Sequence, residues 1–227
     1  MKTVIELTNK ECRDCYPELK QNAEQLFASS KLLAEHHQYG HAIGLLILGA
    51  EEYIKSFFLF LEGYGFNLLK FKEVQAVFLH RGAHYMILRD SYSIWLLLGQ
   101  VLDHNPALST ETTDLKLLRT KLSLLRSRNQ SHWWEKADHL KQKGLYADYL
   151  QRLVSPSNLT ASDYKNAVSK TAAIPTETAR YIKLIKELNN RDLTSCLHFF
   201  DIIGLRQMIE ELITEDNVKK QPTLKSE

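Results

Sequence analysis

The chain has 227 residues, of which 44% are hydrophobic and 25% charged, a balance that argues for one folded domain and against a disordered chain. Its 29 basic and 27 acidic residues leave a net charge of only +2, so no strong basic field indicates nucleic acid as a partner. The N-terminus lacks an apolar core of signal-peptide length, and the longest uncharged apolar run, 42–50, is far below the roughly 20 residues of a membrane span, which predicts a cytoplasmic protein that does not bind membranes.

The first half of the chain predicts long helices. Apolar residues recur at helical spacing, and only 9 glycines and 5 prolines interrupt the whole sequence, so the predicted fold is all-α. After an N-terminal arm over 1–17, a first helix is predicted over 18–38 and ends before Gly40. A second helix follows over 41–62. Residues 67–103 predict one long helix, or two helices joined near Gly82.

The second half has a less regular pattern. Ser and Thr capping candidates begin a predicted helix over 109–129. The helical pattern then weakens: a helix halts at Gly144, and a short extended piece around Tyr146 and Asp148 leads to a turn at Pro156.

Helices resume after a cap at Thr160 or Ser162, with a break at the sequence "IPTE". The main helical domain is therefore predicted over 18–190. An additional C-terminal helix over 191–214 carries more apolar residues than one core-facing stripe needs, which makes it a candidate partner surface. The polar tail over 215–227 is predicted to be disordered.

Three cysteines, Cys12, Cys15 and Cys196, cannot form a paired disulfide framework. They also fall short of a four-ligand zinc set unless histidines contribute, so we interpret them as ordinary small thiols. We predict no metal and no other cofactor.

The most apolar stretch of the chain contains the charged residues Glu51, Glu52 and Lys55 within "GAEEYIKSFF". Glu51 and Lys55 lie four residues apart and share one helix face, and burying an unpaired carboxylate is costly. One interpretation is an internal Glu51–Lys55 salt bridge, with Glu52 bound to a cation on another helix. The other is that the carboxylates orient a partner residue at a site between helices.

Two histidines, His80 and His84, lie one helical turn apart in "FLHRGAH". The spacing suits a metal, but no third ligand is evident and the glutamate of a zinc-protease motif is absent. We interpret them as half-buried imidazoles that bind carboxylates such as Glu51 or Glu52, or phosphate oxygens.

The sequence "LLRSRNQSHWW" combines Arg126, Arg128, Asn129 and His132. Arginine binds phosphate as a bidentate fork and histidine can move a proton near neutral pH, so together they could cleave RNA through attack by its 2′-hydroxyl. The alternative is a solvated helix end at which Arg and His pack against tryptophan.

The order of these motifs resembles the AbiV family of abortive infection proteins, which belongs to the HEPN superfamily of helical domains. An early amphipathic helix is followed by "YGHAIGLLILGAEEYIKSFFLF", "FLHRGAH", "KQKGLYADY" and "SPSNLTASDY", so the resemblance covers about 19–167. It is most specific at Ala50, Glu51, Glu52, Lys55, Phe78, His80, Gly144, Leu145, Tyr146, Asp148, Tyr149, Ser155 and Pro156.

The resemblance implies a HEPN-like helical bundle in bacterial anti-phage defence, and a homodimer, because many HEPN nucleases build an RNA-cleaving cleft from an Arg and a His on each subunit. The superfamily motif has four to six residues between Arg and His. Arg128 is followed by Asn129, as the motif prefers, but only three residues separate it from His132; Arg126 has the motif spacing, with five residues between, but is followed by Ser127. Either arginine is therefore a candidate.

The family signature also implies a polar cluster of Glu51, Glu52, Lys55 and His80, with His84 nearby. Tyr146 and Asp148 are expected to close over it. Two functions remain open: a metal-independent endoribonuclease acting on RNA, with no DNA expected as a partner, or a non-catalytic protein that blocks translation or a phage component by binding. A plain nucleotide-binding module is a weaker third alternative.

Overall fold

The computed structural model describes residues 3–79, 85–103, 133–150, 152–202 and 209. Helices dominate these residues, which confirms the all-α prediction, and a short antiparallel hairpin is the exception within them. In chain order the elements are α1 (Asn9–Glu35), α2 (Tyr39–Gly63), α3 (Lys72–Leu79), α4 (Tyr85–Asp103), α5 (133–145), β1 (Asp148–Leu150), β2 (Arg152–Val154), α6 (Ala161–Thr171), α7 (Ala173–Glu187) and α8 (Asn190–Ile202).

The first helix begins at Asn9 rather than at Glu18, so half of the predicted N-terminal arm is helical. Thr8 and Glu11 form a capping box, in which the Thr8 backbone N–H donates to the Glu11 carboxylate at 2.8 Å and the Glu11 N–H donates to the Thr8 hydroxyl. Pro17 lies inside α1, although proline ordinarily interrupts a helix. The helix continues through Pro17 because its first turns pack on the core through the buried side chains of Cys12 and Tyr16.

The apolar character of α2 on nearly every face reflects its central position. It packs against α1 along its length and also contacts α4, α6 and α7. Small residues let α1 approach closely: the buried Ser30 hydroxyl donates to the Ala42 carbonyl at 2.6 Å, and Gly49 faces the Phe27 ring. At the far end of α2, the buried Glu62 carboxylate accepts a hydrogen bond from the Leu69 backbone N–H at 3.0 Å.

Helix α5 crosses the N-terminal part of α2 at very close range. A methyl group at Gly144 would collide with the carbonyl oxygen of Gly40, and one at Gly44 would meet the side chain of Leu145. Gly40 is in turn covered by the backbone of Pro156, in the turn after the hairpin. Glycine is therefore required at Gly40 and Gly144, because backbone atoms are in direct contact there, whereas the close neighbour of Gly44 is a side chain.

The caps of the later helices follow local sequence rules. Thr160 begins α6 through a capping box with Asp163, as one of the two predicted caps. The predicted break at "IPTE" lies slightly earlier, at Ala172, and Pro175 is in the first turn of α7, where its missing N–H removes no helix hydrogen bond. The extended piece predicted near Tyr146 and Asp148 is the β1–β2 hairpin, whose register pairs Asp148 with Val154.

Several sequence predictions fall outside the described residues: the joint near Gly82, the helix over 109–129, most of the C-terminal helix beyond Ile202, and the tail over 215–227. Within the described ranges, the helices are too short or too polar to cross a membrane.

Candidate functional site

Glu51, Glu52 and Lys55 lie together on α2, where Glu51 faces α5. Lys55 Nζ lies 2.9 Å from Glu51 Oε1 and 3.1 Å from Glu52 Oε1. The three side chains are half-buried, with Glu52 the most exposed at 23%. The Glu51–Lys55 pair expected from their spacing is present.

Helix α5 supplies the cation that the sequence could only assign to an unnamed helix. Lys141, whose side chain is 7% exposed, places Nζ 3.3 Å from Glu51 Oε2 and 3.0 Å from Asp138 Oδ1. The second contact is by charge alone, because Asp138 Oδ1 has no aligned hydrogen-bond donor among the described residues. Glu52, which was expected to bind this cation, instead faces the Asn22 amide of α1 at 3.5 Å.

We call Glu51, Glu52, Lys55, Asp138 and Lys141 the α2–α5 cluster. Sequence reasoning missed Asp138, Lys141 and Asn22. Asp138 and Lys141 have the spacing of a local helix pair, which was visible in the sequence. Their contact with α2 was not, because no local pattern reports which helices are neighbours.

The chemistry of the α2–α5 cluster is that of fixed charges. Burial alone raises the pKa of Glu51, but the ammonium groups of Lys55 and Lys141 outweigh it and hold this pKa below its usual range. For Lys55, burial lowers the pKa, but Glu51 and Glu52 outweigh it and raise the pKa above its usual range. Both groups therefore stay ionised near pH 7, where a general acid or base needs a pKa close to the working pH. The described cluster suits a scaffold better than proton transfer.

A second ion group attaches the other half of α5 to α4. Arg89 is 1% exposed and donates to Asp90 Oδ1 through Nε at 2.8 Å and Nη2 at 2.6 Å, while Nη1 lies 3.5 Å from Glu135 Oε1. Beside it, the Tyr92 ring stacks on the buried Trp134 ring, with centroids 4.7 Å apart. Helix α5 is thus held to α4 near its start and to α2 near its end.

The remaining predicted site residues are placed as follows. Arg126, Arg128, Asn129 and His132 lie outside the described residues, as do His80 and His84. The backbone of Asp148 belongs to β1, but its side chain is not among those described.

Tyr146 does not close over the α2–α5 cluster as expected. It is 61% exposed and follows the end of α5. Since α5 runs antiparallel to α2, with Lys141 at Glu51 and Gly144 at Gly40, the chain has left the cluster before it reaches Tyr146. Glu51 lies about 16 Å along α2 from Gly40, at 1.5 Å per residue.

Two of the three cysteines, Cys12 and Cys196, are buried thiols. Burial, with Glu62 nearby, raises the pKa of the Cys12 thiol to about 11, and burial raises that of Cys196 to about 12. Both thiols are therefore protonated near pH 7. Within the described ranges, no group of three or more His, Cys, Asp or Glu side chains is arranged to hold a metal ion.

We predict that Glu51→Gln lowers stability at neutral pH and not in acid. Because the folded pKa of Glu51 is depressed, its stabilisation is present above the ordinary value of 4.5 and is lost as the pH falls through the folded pKa. The variant should lose about 2 kcal/mol at pH 7 relative to wild type. Urea unfolding between pH 7 and pH 3.5 should show this difference shrinking.

Glu187→Gln is the control for this experiment, because the Glu187 side chain is 64% exposed and 3.8 Å from Lys183. It should change stability little at any pH. A Glu51→Gln deficit that stays constant down to pH 3.5 would contradict a charged Glu51 as its cause.

Comparison with family models identifies the chain. The AbiV model of the HEPN domains matches residues 11–175, a range that includes both ion groups and most of the described helices. Comparison with the curated proteins and with the solved structures gives no match. Because the family match spans well over half of the 227 residues, the chain belongs to the AbiV family of the HEPN superfamily, whose role is abortive infection in defence.

Proposed function

We propose that this protein is a metal-independent endoribonuclease that cleaves RNA in the cytoplasm of infected bacteria and so halts phage propagation. The observation that carries the proposal is that the AbiV match, residues 11–175, includes the whole stretch from Arg126 to His132. The sequence thus has the arginine, polar residue and histidine of a HEPN nuclease motif inside the matched range.

The chemistry assigns each of these residues a role. Arg128 or Arg126 holds the phosphate charge that develops during cleavage, and His132 transfers a proton near pH 7. Asn129 orients one of them. Attack by the RNA 2′-hydroxyl on the adjacent phosphate needs these two functions and no metal.

The described structure supports the proposal through α5. Trp133, its first described residue, follows His132 in the chain, and α5 is held by Arg89–Glu135 at one end and Lys141–Glu51 at the other. A catalytic group needs a rigid support, because small displacements reduce the rate strongly. We interpret the α2–α5 cluster as part of that support.

We further propose a homodimer in which each subunit supplies one arginine and one histidine to a shared cleft. Helix α8 was a candidate partner surface, but its buried residues Cys196 and Phe199 pack within their own subunit. Most of the apolar residues that made the C-terminal helix a candidate surface lie beyond Ile202, outside the described residues apart from Ile209, so the helix stays a candidate.

A non-catalytic binding function is the second candidate, and the exposure of Tyr146 favours it. A family-signature tyrosine that is 61% exposed is not explained by packing in the core. Exposed aromatic residues often anchor protein interfaces. In this function Tyr146 would contact a translation or phage component.

His132→Ala separates the two functions. For a nuclease, the variant should lose RNA cleavage and phage protection, by at least about 100-fold, because a general acid–base group is worth that much. Phage plating and the mapping of new RNA ends after induced expression measure both effects. Protein level, melting temperature and subunit mass by light scattering should match wild type.

Tyr146→Ala is the matched variant for the binding function. Because Tyr146 is exposed, its loss should leave folding intact. Protection that survives His132→Ala and fails with Tyr146→Ala would replace the nuclease by the binding function. A monomeric wild-type protein would rule out the shared cleft.

A further inference from the structure

A groove of about 690 Å³ lies between α4, α5, α6 and α7, apart from the α2–α5 cluster. Its volume falls in the range of small-molecule and nucleotide sites, roughly 300 to 1,000 Å³. Asp103, at the end of α4, and Trp133, at the start of the described α5, both line it. The groove is therefore bounded by the two residues that flank the 104–132 stretch in sequence.

One wall of the groove is built from aromatic rings. Trp133 is half-buried and meets Trp134 edge to face, with centroids 5.0 Å apart, and Trp134 is stacked on Tyr92. Each of these rings packs against another ring of the protein, so the aromatic wall is already ordered before a ligand binds. A rigid aromatic wall suits a flat, unpaired nucleobase, because every base has a π-face and stacking tolerates any sequence.

The rim of the groove carries two lysines. Lys136 of α5 and Lys170 of α6 are exposed and make no ion pair within the described part of the chain. The carboxylates at the groove, Asp103 and Glu177, are both bound by Arg180, at 2.8 Å and 2.7 Å. The uncompensated charge at the rim is therefore positive, and it suits a phosphate group.

We propose that this groove binds one unpaired nucleotide of single-stranded RNA, with its base against the Trp133 wall and its phosphate at Lys136 and Lys170. The choice of RNA rests on the proposed function, and the groove itself favours a single strand. A duplex keeps its bases stacked and cannot offer one to the wall. A free nucleoside triphosphate carries more negative charge than two lysines offset.

The test measures binding of the full-length protein to fluorescein-labelled single-stranded RNA by anisotropy. The oligonucleotides carry 2′-O-methyl groups, which block cleavage because the attacking hydroxyl is absent. Lys136→Ala with Lys170→Ala should weaken binding about 10-fold. The slope of log Kd against log salt should fall by about 0.7, since each neutralised phosphate of a single strand contributes about 0.7 and the two lysines share one phosphate.

The matched control is Lys143→Ala with Lys165→Ala, which removes the same charge from the same two helices outside the groove. It should change the affinity less than 2-fold. Trp133→Leu keeps an apolar side chain and removes the π-face, so it should also weaken binding, whereas Trp133→Phe should restore most of it. Melting temperatures establish that the variants are folded.

Several results would overturn the inference. Equal losses in the groove lysine pair and the control lysine pair would indicate unspecific charge attraction. Wild-type affinity in the groove lysine variant and in Trp133→Leu would mean that RNA does not bind in the groove. Equal binding of a duplex, or tighter binding of a free nucleotide than of RNA, would assign it a different ligand.

The result also separates this inference from the proposed function. If the wild-type protein fails to cut unmodified RNA but the groove variants lose RNA binding, the proposed nuclease function is wrong and the proposed nucleotide site is supported. If the protein cuts RNA and the groove variants bind normally, the groove inference alone is wrong.

Discussion

Gly144→Ala is expected to destabilise the protein by about 3 kcal/mol, a drop of roughly 6 to 12 °C in melting temperature for a chain of this size. The added methyl group would collide with the Gly40 carbonyl oxygen and lie 3.1 Å from the Gly44 nitrogen. Both are backbone atoms, so relief requires that α5 move away from α2. Thermal unfolding followed by circular dichroism measures the effect.

Gly44→Ala is the matched control on the same helix crossing. Its methyl group would be crowded by the Leu145 side chain, at 2.7 Å, and a side chain can rotate away, whereas the nearest backbone atom, the Lys141 carbonyl oxygen, is at an ordinary contact distance of 3.5 Å. Alanine also favours the helix over glycine by about 1 kcal/mol, which offsets part of the cost. Equal melting temperatures for Gly144→Ala and wild type would show that the helices do not make backbone contact here.

Arg89→Ala is expected to cost about 3 kcal/mol, because it removes a buried cation that contacts both Asp90 and Glu135. The Arg89 guanidinium is 1% exposed, so water screens the lost charge poorly. The change also removes packing from the α4–α5 contact. Urea unfolding at pH 7 gives the free energy directly.

Arg180→Ala is the matched control, because Arg180 also binds two carboxylates but its side chain is 46% exposed. Its loss should cost only about 0.5 kcal/mol. If Arg89→Ala and Arg180→Ala lowered the free energy of unfolding equally, burial would not explain the contribution of Arg89 to stability.

Both large predictions concern the attachment of α5. Gly144 and Lys141 hold its C-terminal half on α2, and Arg89 and Trp134 hold its N-terminal half on α4. Under the proposed function, a partly folded Arg89 or Gly144 variant should also lose protection. The His132→Ala variant differs from them because it loses protection at an unchanged melting temperature.

The sequence alone predicted those features that depend on interactions between residues close together in the chain. Helical periodicity predicted an all-α fold, and the Thr160 cap of α6 follows from a hydroxyl that accepts an N–H three residues later. The four-residue spacing of Glu51 and Lys55 likewise predicted their ion pair. The order of motifs was sufficient for the family, because it is a property of the chain alone.

Other local signals were present but weaker than the packing that opposed them. Pro17 ordinarily ends a helix, yet α1 continues through it because Cys12 and Tyr16 are buried in the core. Gly144 was predicted as the end of a helix. The described α5 does end at residue 145, but the glycine is also needed because the Gly40 backbone lies against it.

Only the tertiary structure decided which charges meet between helices. Lys141 pairs with Glu51, 90 positions away, and Arg89 with Glu135, 46 positions away, and no periodicity reports such pairs. The same antiparallel crossing of α2 and α5 carries Tyr146 to solvent and away from the cluster it was expected to cover. The groove beside Trp133 arises in the same way, because four helices that are separate in sequence must pack before its wall and its lysines face one space.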